Sequence, residues 1–270
     1  MAISDISLTS GMRSNLVSLQ STVELLNRTQ ERLATGKRVN SPLDNATNYF
    51  VAKSHMDRAE DLSVRKDGMN EAIQTVKSAN EGIKAITDLI ASAKGIAQSA
   101  LSAGTTERAT LATQFGAIRT QIDQLAEDSG YKGTNLLDDG DLEVKFNEDG
   151  SNTLSISGFD ASTSGLAIGA ADNNWAADTD INAAVTDLDA ALTTLRSQAK
   201  TLSSNLNIIT TRNSFTQGMI NVLTEGATTL TAADTNEEGA NMLMLQVRQS
   251  LGTTALSLSA QAAQSVLRLF

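Results

Sequence analysis

From Ile181 to Leu223, apolar residues recur in alternating steps of four and three: Ile181, Val185, Leu188, Leu192, Leu195, Ala199, Leu202, Leu206 and Ile209, with the register kept through Asn213, Thr216, Ile220 and Leu223. A seam of that period, held over about six heptads, predicts one long helix of the coiled-coil kind. The intervening positions are mostly Thr, Ser, Asn, Gln, Asp and Arg, so the opposite face is wet and the stripe needs partners. A second seam opens the chain over Ile6–Leu33, through Leu8, Met12, Leu16, Leu19, Val23, Leu26, Gln30 and Leu33. The last helix, expected over Glu237–Leu269, differs from both. Leu243, Met244, Leu245, Val247, Leu251, Leu256, Leu258, Ala262, Val266, Leu267 and Leu269, followed by Phe270, point in every direction. A helix apolar all round is buried all round. At the end of a chain that cover comes from the other terminus or from other molecules.

Between these seams the chain alternates helices with short breaks. Gly36 is placed to close the first helix in a left-handed conformation. Ser41 reads as an N-cap, Pro42 as a first helical residue and Asp44 as the acidic partner of a capping box. Tyr49–Leu101 reads as a long helix ended by Gly104. Thr105 is expected to cap the next, whose seam is Leu111, Phe115, Ile118, Ile122 and Leu125 and whose stop is Gly130. Residues 138–180 change character. Leu142, Val144 and Phe146 alternate with polar residues, Asp149-Gly150 is a turn signal, and Leu154, Ile156 and Gly158 continue the alternation, which predicts a β-hairpin. Thr163–Asp180, rich in small and polar residues, reads as exposed loop. Asp234-Thr235-Asn236-Glu237 announces the last helix. The expected fold is mainly α: a long antiparallel coiled-coil or helical-bundle rod with one small β-hairpin region mid-chain.

Composition narrows the function. In 270 residues there are one Pro, no Cys, one His and 3% aromatics, with a formal charge of −10. Few prolines suit long helices, and a chain without Cys has neither disulfides nor a thiolate metal site. An acidic chain with 21 Lys+Arg and no basic cluster is a poor nucleic-acid binder, and no apolar run reaches the length of a membrane span. Met1–Ser14 shows neither the basic start nor the apolar stretch of a secretory signal. His55 reads as a packed or surface residue. No P-loop, dinucleotide-binding or zinc-protease motif is found, and the carboxylates around Asp141 and Glu148 do not match a calcium loop. No enzyme, cofactor or metal is expected. Asn27 and Asn45 sit in N-glycosylation sequons of the kind chance supplies.

Glu31-Arg32-Leu33-Ala34-Thr35-Gly36-Lys37-Arg38-Val39-Asn40-Ser41 resembles the ERLSSGxRINS signature of bacterial flagellins, and Leu43-Asp44-Asn45-Ala46 follows it. Tyr131–Leu137 is similar to the family's FNGxxLL turn, and Asn241-Met242, Gln249–Ala255 and Gln264–Leu267 resemble its C-terminal signature. The resemblance spans roughly residues 3–137 and 181–270, with a middle shorter than in the best-known members. It implies a structural subunit that polymerises into the flagellar filament for motility. Residues 1–35 with 236–270 would pair as an inner terminal coiled-coil domain forming the filament core. Residues 36–137 with 181–235 would form a rod-like helical bundle domain, and 138–180 a short surface-exposed hairpin and loop insert. Assembly then falls to the apolar residues of the terminal helices named above. Gly36, Arg38, Asn40 and Pro42 serve the inter-domain connection, and Ser162, Thr163 and Ser164 are candidates for O-glycosylation. The implied partners are the chain itself, the flagellar type III export apparatus, an export chaperone, and cap and hook-junction proteins. The implied location is the extracellular filament. Some family members are recognised by a Toll-like receptor through charges on the rod domain, and an Arg and a Glu of that patch align with Ala91 and Ala117 here. The alternatives are a hook–filament junction protein, which joins rather than self-propagates, and a coiled-coil adaptor that is not exported.

Overall fold

The computed structural model describes residues 10–267, with side chains through 265. It contains α1 (Ser10–Thr35), α2 (Ala46–Leu101), α3 (Thr105–Asp128), β1 (Leu142–Lys145), β2 (Thr153–Ile156), a 3-10 turn (Asp172–Trp175), α4 (Asp178–Thr231) and α5 (Thr235–Leu267). The fold is thus mainly α with one two-stranded antiparallel sheet. The chain divides into two compact units. One takes the two ends, up to Asp57 and from Leu223 on; the other is Arg58–Val222.

The central unit is built on the long seam. Ile181, Leu188, Leu192, Leu195, Leu202 and Ile209 of α4 are buried among Met69, Val76, Ile86 and Ile90 of α2 and Phe115 and Ile122 of α3. Each sits where its period placed it, because burying a continuous stripe is what makes so long a helix stable. The seam is polar at Asn213, whose amide donates to the Lys66 carbonyl at 3.3 Å and to Asn70 Oδ1 at 2.9 Å.

The hairpin is also as the alternation predicts. Leu142 faces Ile156 and Val144 faces Leu154 across the ladder. Val144, Phe146 and Ile156 are buried, while Glu143, Lys145, Thr153 and Ser155 face water. Before it, Asn135 ties the turn after α3. Its amide donates to the Ala126 and Glu127 carbonyls at 2.8 and 2.9 Å, and its Oδ1 accepts from the Leu137 N–H at 3.0 Å. That grip delivers Leu136 and Leu137, both buried, to the core.

Three expectations are corrected. Residues 163–180 are not an exposed loop: Thr163, Leu166, Ile168 and Trp175 are buried, and Trp175 lies 5.0 Å from Phe115 between ring centroids. Their burial has no period because turns deliver them. Ala167, Asn173, Asn174 and Trp175 all have positive φ. Second, Ser41 and Pro42 do not start α2. Asp44 N–H donates to the Ser41 carbonyl at 3.1 Å, closing a separate turn with Pro42 inside it. The helix begins at Ala46, with Asn45 Oδ1 accepting from the Asn48 N–H at 3.0 Å. Third, Thr105 is the first residue of α3 rather than its cap; Gly104 occupies the cap without a side-chain bond.

The tip of the hairpin is held by charge. Arg58 donates to the Glu148 carboxylate, Arg65 Nη2 donates to the Glu148 carbonyl at 3.2 Å, and the Arg212 guanidinium lies 5.3 Å above the Phe146 ring. The hydrogen bond from Arg58, then one from its own backbone N–H, holds the Glu148 carboxyl below its ordinary value of 4.5. Asp149 is also lowered, chiefly by the Ser151 N–H. A lowered carboxyl stabilises the fold at pH above its unfolded value, and that stability is lost as pH falls through the folded value. Amide exchange across 146–152 is therefore expected to accelerate as pH drops below about 4.5, after correction for intrinsic rates. In Glu148→Gln that acid-dependent step should be smaller. An identical profile in the variant would remove Glu148 from the account.

Candidate assembly surface

The terminal unit begins with the pairing of α1 and α5. Arg32 meets Glu238, and a Cβ on Gly252 would lie 3.2 Å from Leu19 Cδ1, so the helices run antiparallel. Of the assembly candidates on α1, Leu26 is buried against this partner, and Met12, Leu19 and Val23 are half-buried. Leu16 and Leu33 fall just on the exposed side. Of the assembly candidates on α5, Leu245 is buried and Leu256 half-buried, while Leu251 and Leu258 are 64% and 60% exposed. Leu243 and Val247 are exposed with them. One face of α5 thus meets α1, and a second file through Leu243, Val247, Leu251 and Leu258 faces outward. Leu8, Leu269, Phe270 and the side chain of Val266 lie outside the described residues.

The pairing carries an ion pair that periodicity did not reveal. Arg32 Nη1 donates to Glu238 Oε1 at 2.9 Å, with Glu238 buried. A buried carboxylate deprived of its partner is costly. Arg32→Ala is expected to destabilise the α1–α5 pair by about 2–4 kcal/mol. Arg32→Met combined with Glu238→Leu should recover most of that, read by amide exchange along α1 in the monomer. If the double variant is no better than the single, the ion pair is not what the helices lost.

The candidates at the connection form one knot. Gly36 takes φ +67° and its carbonyl accepts from the Ala233 N–H at 2.9 Å. Arg38 N–H donates to the Thr231 carbonyl at 2.7 Å, and Lys37 bridges Ala232 in antiparallel fashion. The Asn40 amide donates to Thr35 Oγ1 at 3.2 Å. Asp44 Oδ2 accepts from the N–H groups of Asn40 and Ser41 and from Ser41 Oγ, at 3.0–3.1 Å. Those bonds, the Ser41 N–H first, hold the Asp44 carboxyl low. Gly36 and Arg38 are thus bonded to the α4–α5 link, while Asn40 ties back to Thr35 and Pro42 lies inside the turn that follows. Asp44 and Asn45 were not among the candidates. The Asx chemistry after Ser-Pro was the signal for them.

The glycosylation candidates diverge. Ser164 is exposed and Ser162 half-buried, but Thr163 is buried, with its hydroxyl donating to Asp123 Oδ1 at 2.8 Å. A glycan on Thr163 would break that bond, so Thr163 is withdrawn as a candidate. His55 is half-buried beside Gly226. Among the described residues no helix is long and apolar enough to cross a membrane.

Helices that pair at the chain ends and still present leucines outward are the mark of a protein that associates through them. Residues 3–141 match the family described as the bacterial flagellin N-terminal helical region. A flagellin of Brucella melitensis biotype 1 is 30% identical over 272 residues, covering 94% of this chain and 95% of its own. Flagellin FljK of Caulobacter vibrioides is 29% identical over 280 residues, covering all of both chains. A crystal structure of Bacillus cereus flagellin, 17% identical, covers 55% of this chain and 88% of its own with a TM-score of 0.49. The chain belongs to the bacterial flagellins. It is a structural subunit of the flagellar filament, exported and located outside the cell.

Proposed function

We propose that the terminal helices carry polymerisation, and that the outward file of α5 is the surface buried between subunits. The supporting observation is that Leu243, Val247, Leu251 and Leu258 are exposed on a helix whose only charge from Gly239 to Leu267 is Arg248. Such a face has little charge to hold it in water and gains by association. In this reading residues 1–35 and 236–270 form the inner domain, 36–137 and 181–235 the rod-like domain, and 138–180 an insert. Gly36, Arg38, Asn40 and Pro42 hold the connection, and Ser162 and Ser164 accept any O-glycan.

The action is mechanical rather than catalytic. Helices buried along their length give stiffness, and alternative packings of subunits let the filament supercoil. The export apparatus, a chaperone, the cap and the hook-junction proteins are the further partners. The protein escapes Toll-like receptor recognition, because Ala91 and Ala117 are exposed methyl groups where charges would be read. A receptor-reporter line that responds to monomer at concentrations typical of activating flagellins would overturn this.

The decisive experiment is negative-stain electron microscopy of purified monomer salted out with sulfate. Long uniform filaments are expected. Persistent monomers would instead favour a junction subunit that joins without self-propagating.

A further inference from the structure

Within the terminal unit, Leu43 is 97% exposed. It is not on a loose loop. Pro42 fixes φ before it, and Asp44 after it is tied back to Asn40 and Ser41. An apolar side chain held rigidly in water loses little entropy when something covers it. The same unit carries a groove of about 420 Å³. Val39, Ala52, Met56 and Ala227 line it, with Lys37 and Lys53 at its rim. The volume exceeds that of a leucine side chain. The charges are complementary as well, since the knob is followed by the Asp44 carboxylate and the rim carries the Lys37 ammonium, with Lys53 beside it paired to Asp57 at 3.0 Å.

We propose that Leu43 of one copy of this chain inserts into the groove of a second copy, with Asp44 facing Lys37 at its rim. The contact uses a knob on one copy and a hole on the next, so it is heterologous and propagates instead of closing after two copies. This rests on the polymerising function described above and names one of the contacts that drive it.

The chain has no Cys, so introduced cysteines report unambiguously. Single variants Leu43→Cys and Met56→Cys, both at exposed positions, are mixed one to one, polymerised and oxidised. The expected result is a mixed disulfide dimer in sedimented filaments and none in monomer at the same concentration. Leu43→Asp should raise the critical concentration for polymerisation at least about tenfold, the equilibrium change that one buried leucine carries, whereas Leu43→Met should stay near the parent. Filaments that form without the mixed disulfide, or a Leu43→Asp variant that polymerises like the parent, overturn the contact and leave the filament function standing. An intrachain disulfide in the doubly substituted monomer, with no interchain product, also overturns it, because the turn would then cover its own groove. Failure of the unsubstituted chain to polymerise would remove the function and this contact together.

Discussion

Leu258→Asp is expected to abolish filament growth and leave the monomer folded. Leu258 is 60% exposed on α5, so in the monomer the substitution costs no more than an ordinary surface change, about 0.5 kcal/mol. The polymer is different. There the leucine contributes about 1.5–3 kcal/mol of burial. An aspartate at the same place would be taken out of water with no cation within a turn of it, since Thr254, Ala255, Gln261 and Ala262 are its neighbours along the helix. An unpaired charge so placed costs several kcal/mol more. Every tenfold in critical concentration is about 1.4 kcal/mol, so a sum of about 4 kcal/mol or more moves polymerisation out of reach of ordinary protein concentrations. Circular dichroism should match the parent, and electron microscopy after salting out should show no filaments. Filaments of normal yield would mean that the outward file of α5 is not an intersubunit surface.

The second large effect falls in the central unit. Trp175, the only tryptophan, is fully buried against Phe115 and closes the 3-10 turn just before α4. Trp175→Ala removes most of a large side chain from a packed core, a loss of about 3–5 kcal/mol. At about 2–4 °C per kcal/mol for a unit of this size, the melting temperature should fall by roughly 6–20 °C. Trp175→Phe should be far milder. It keeps an aromatic ring on Phe115 and removes an indole N–H that is buried without a hydrogen-bond partner. Thermal melts by circular dichroism distinguish the cases. An alanine variant that melts with the parent would show that residues 163–180 contribute nothing to the core. In the parent, the indole emission also reports directly on this packing, shifting to longer wavelength when the central unit opens.

Periodicity alone determined a great deal about this protein. The long seam of α4, the amphipathic start of α1 and the alternating hairpin residues each appeared in the structure where spacing put them, and α5 appeared as a helix whose apolar residues divide between the α1 face and an outward file. The reason is general: a regular element must bury a regularly spaced face, so its pattern is local and readable. The signature around Glu31–Ser41 pointed correctly to the family for a similar reason, since short motifs are read without knowing what they touch. Tertiary structure decided what no period encodes. Thr163, Leu166, Ile168 and Trp175 looked like loop because their route into the core runs through turns of positive φ. Arg32 and Glu238 lie far apart in sequence and on different helices, so their pairing followed only from the register of α1 on α5. Ser41, Pro42 and Asp44 fitted a helix start by pattern, yet the Asp44 carboxylate closed a turn of its own and left the cap to Asn45. That turn leaves Leu43 standing in water, beside a chain segment, 36–39, that pairs with 231–233 far along the sequence.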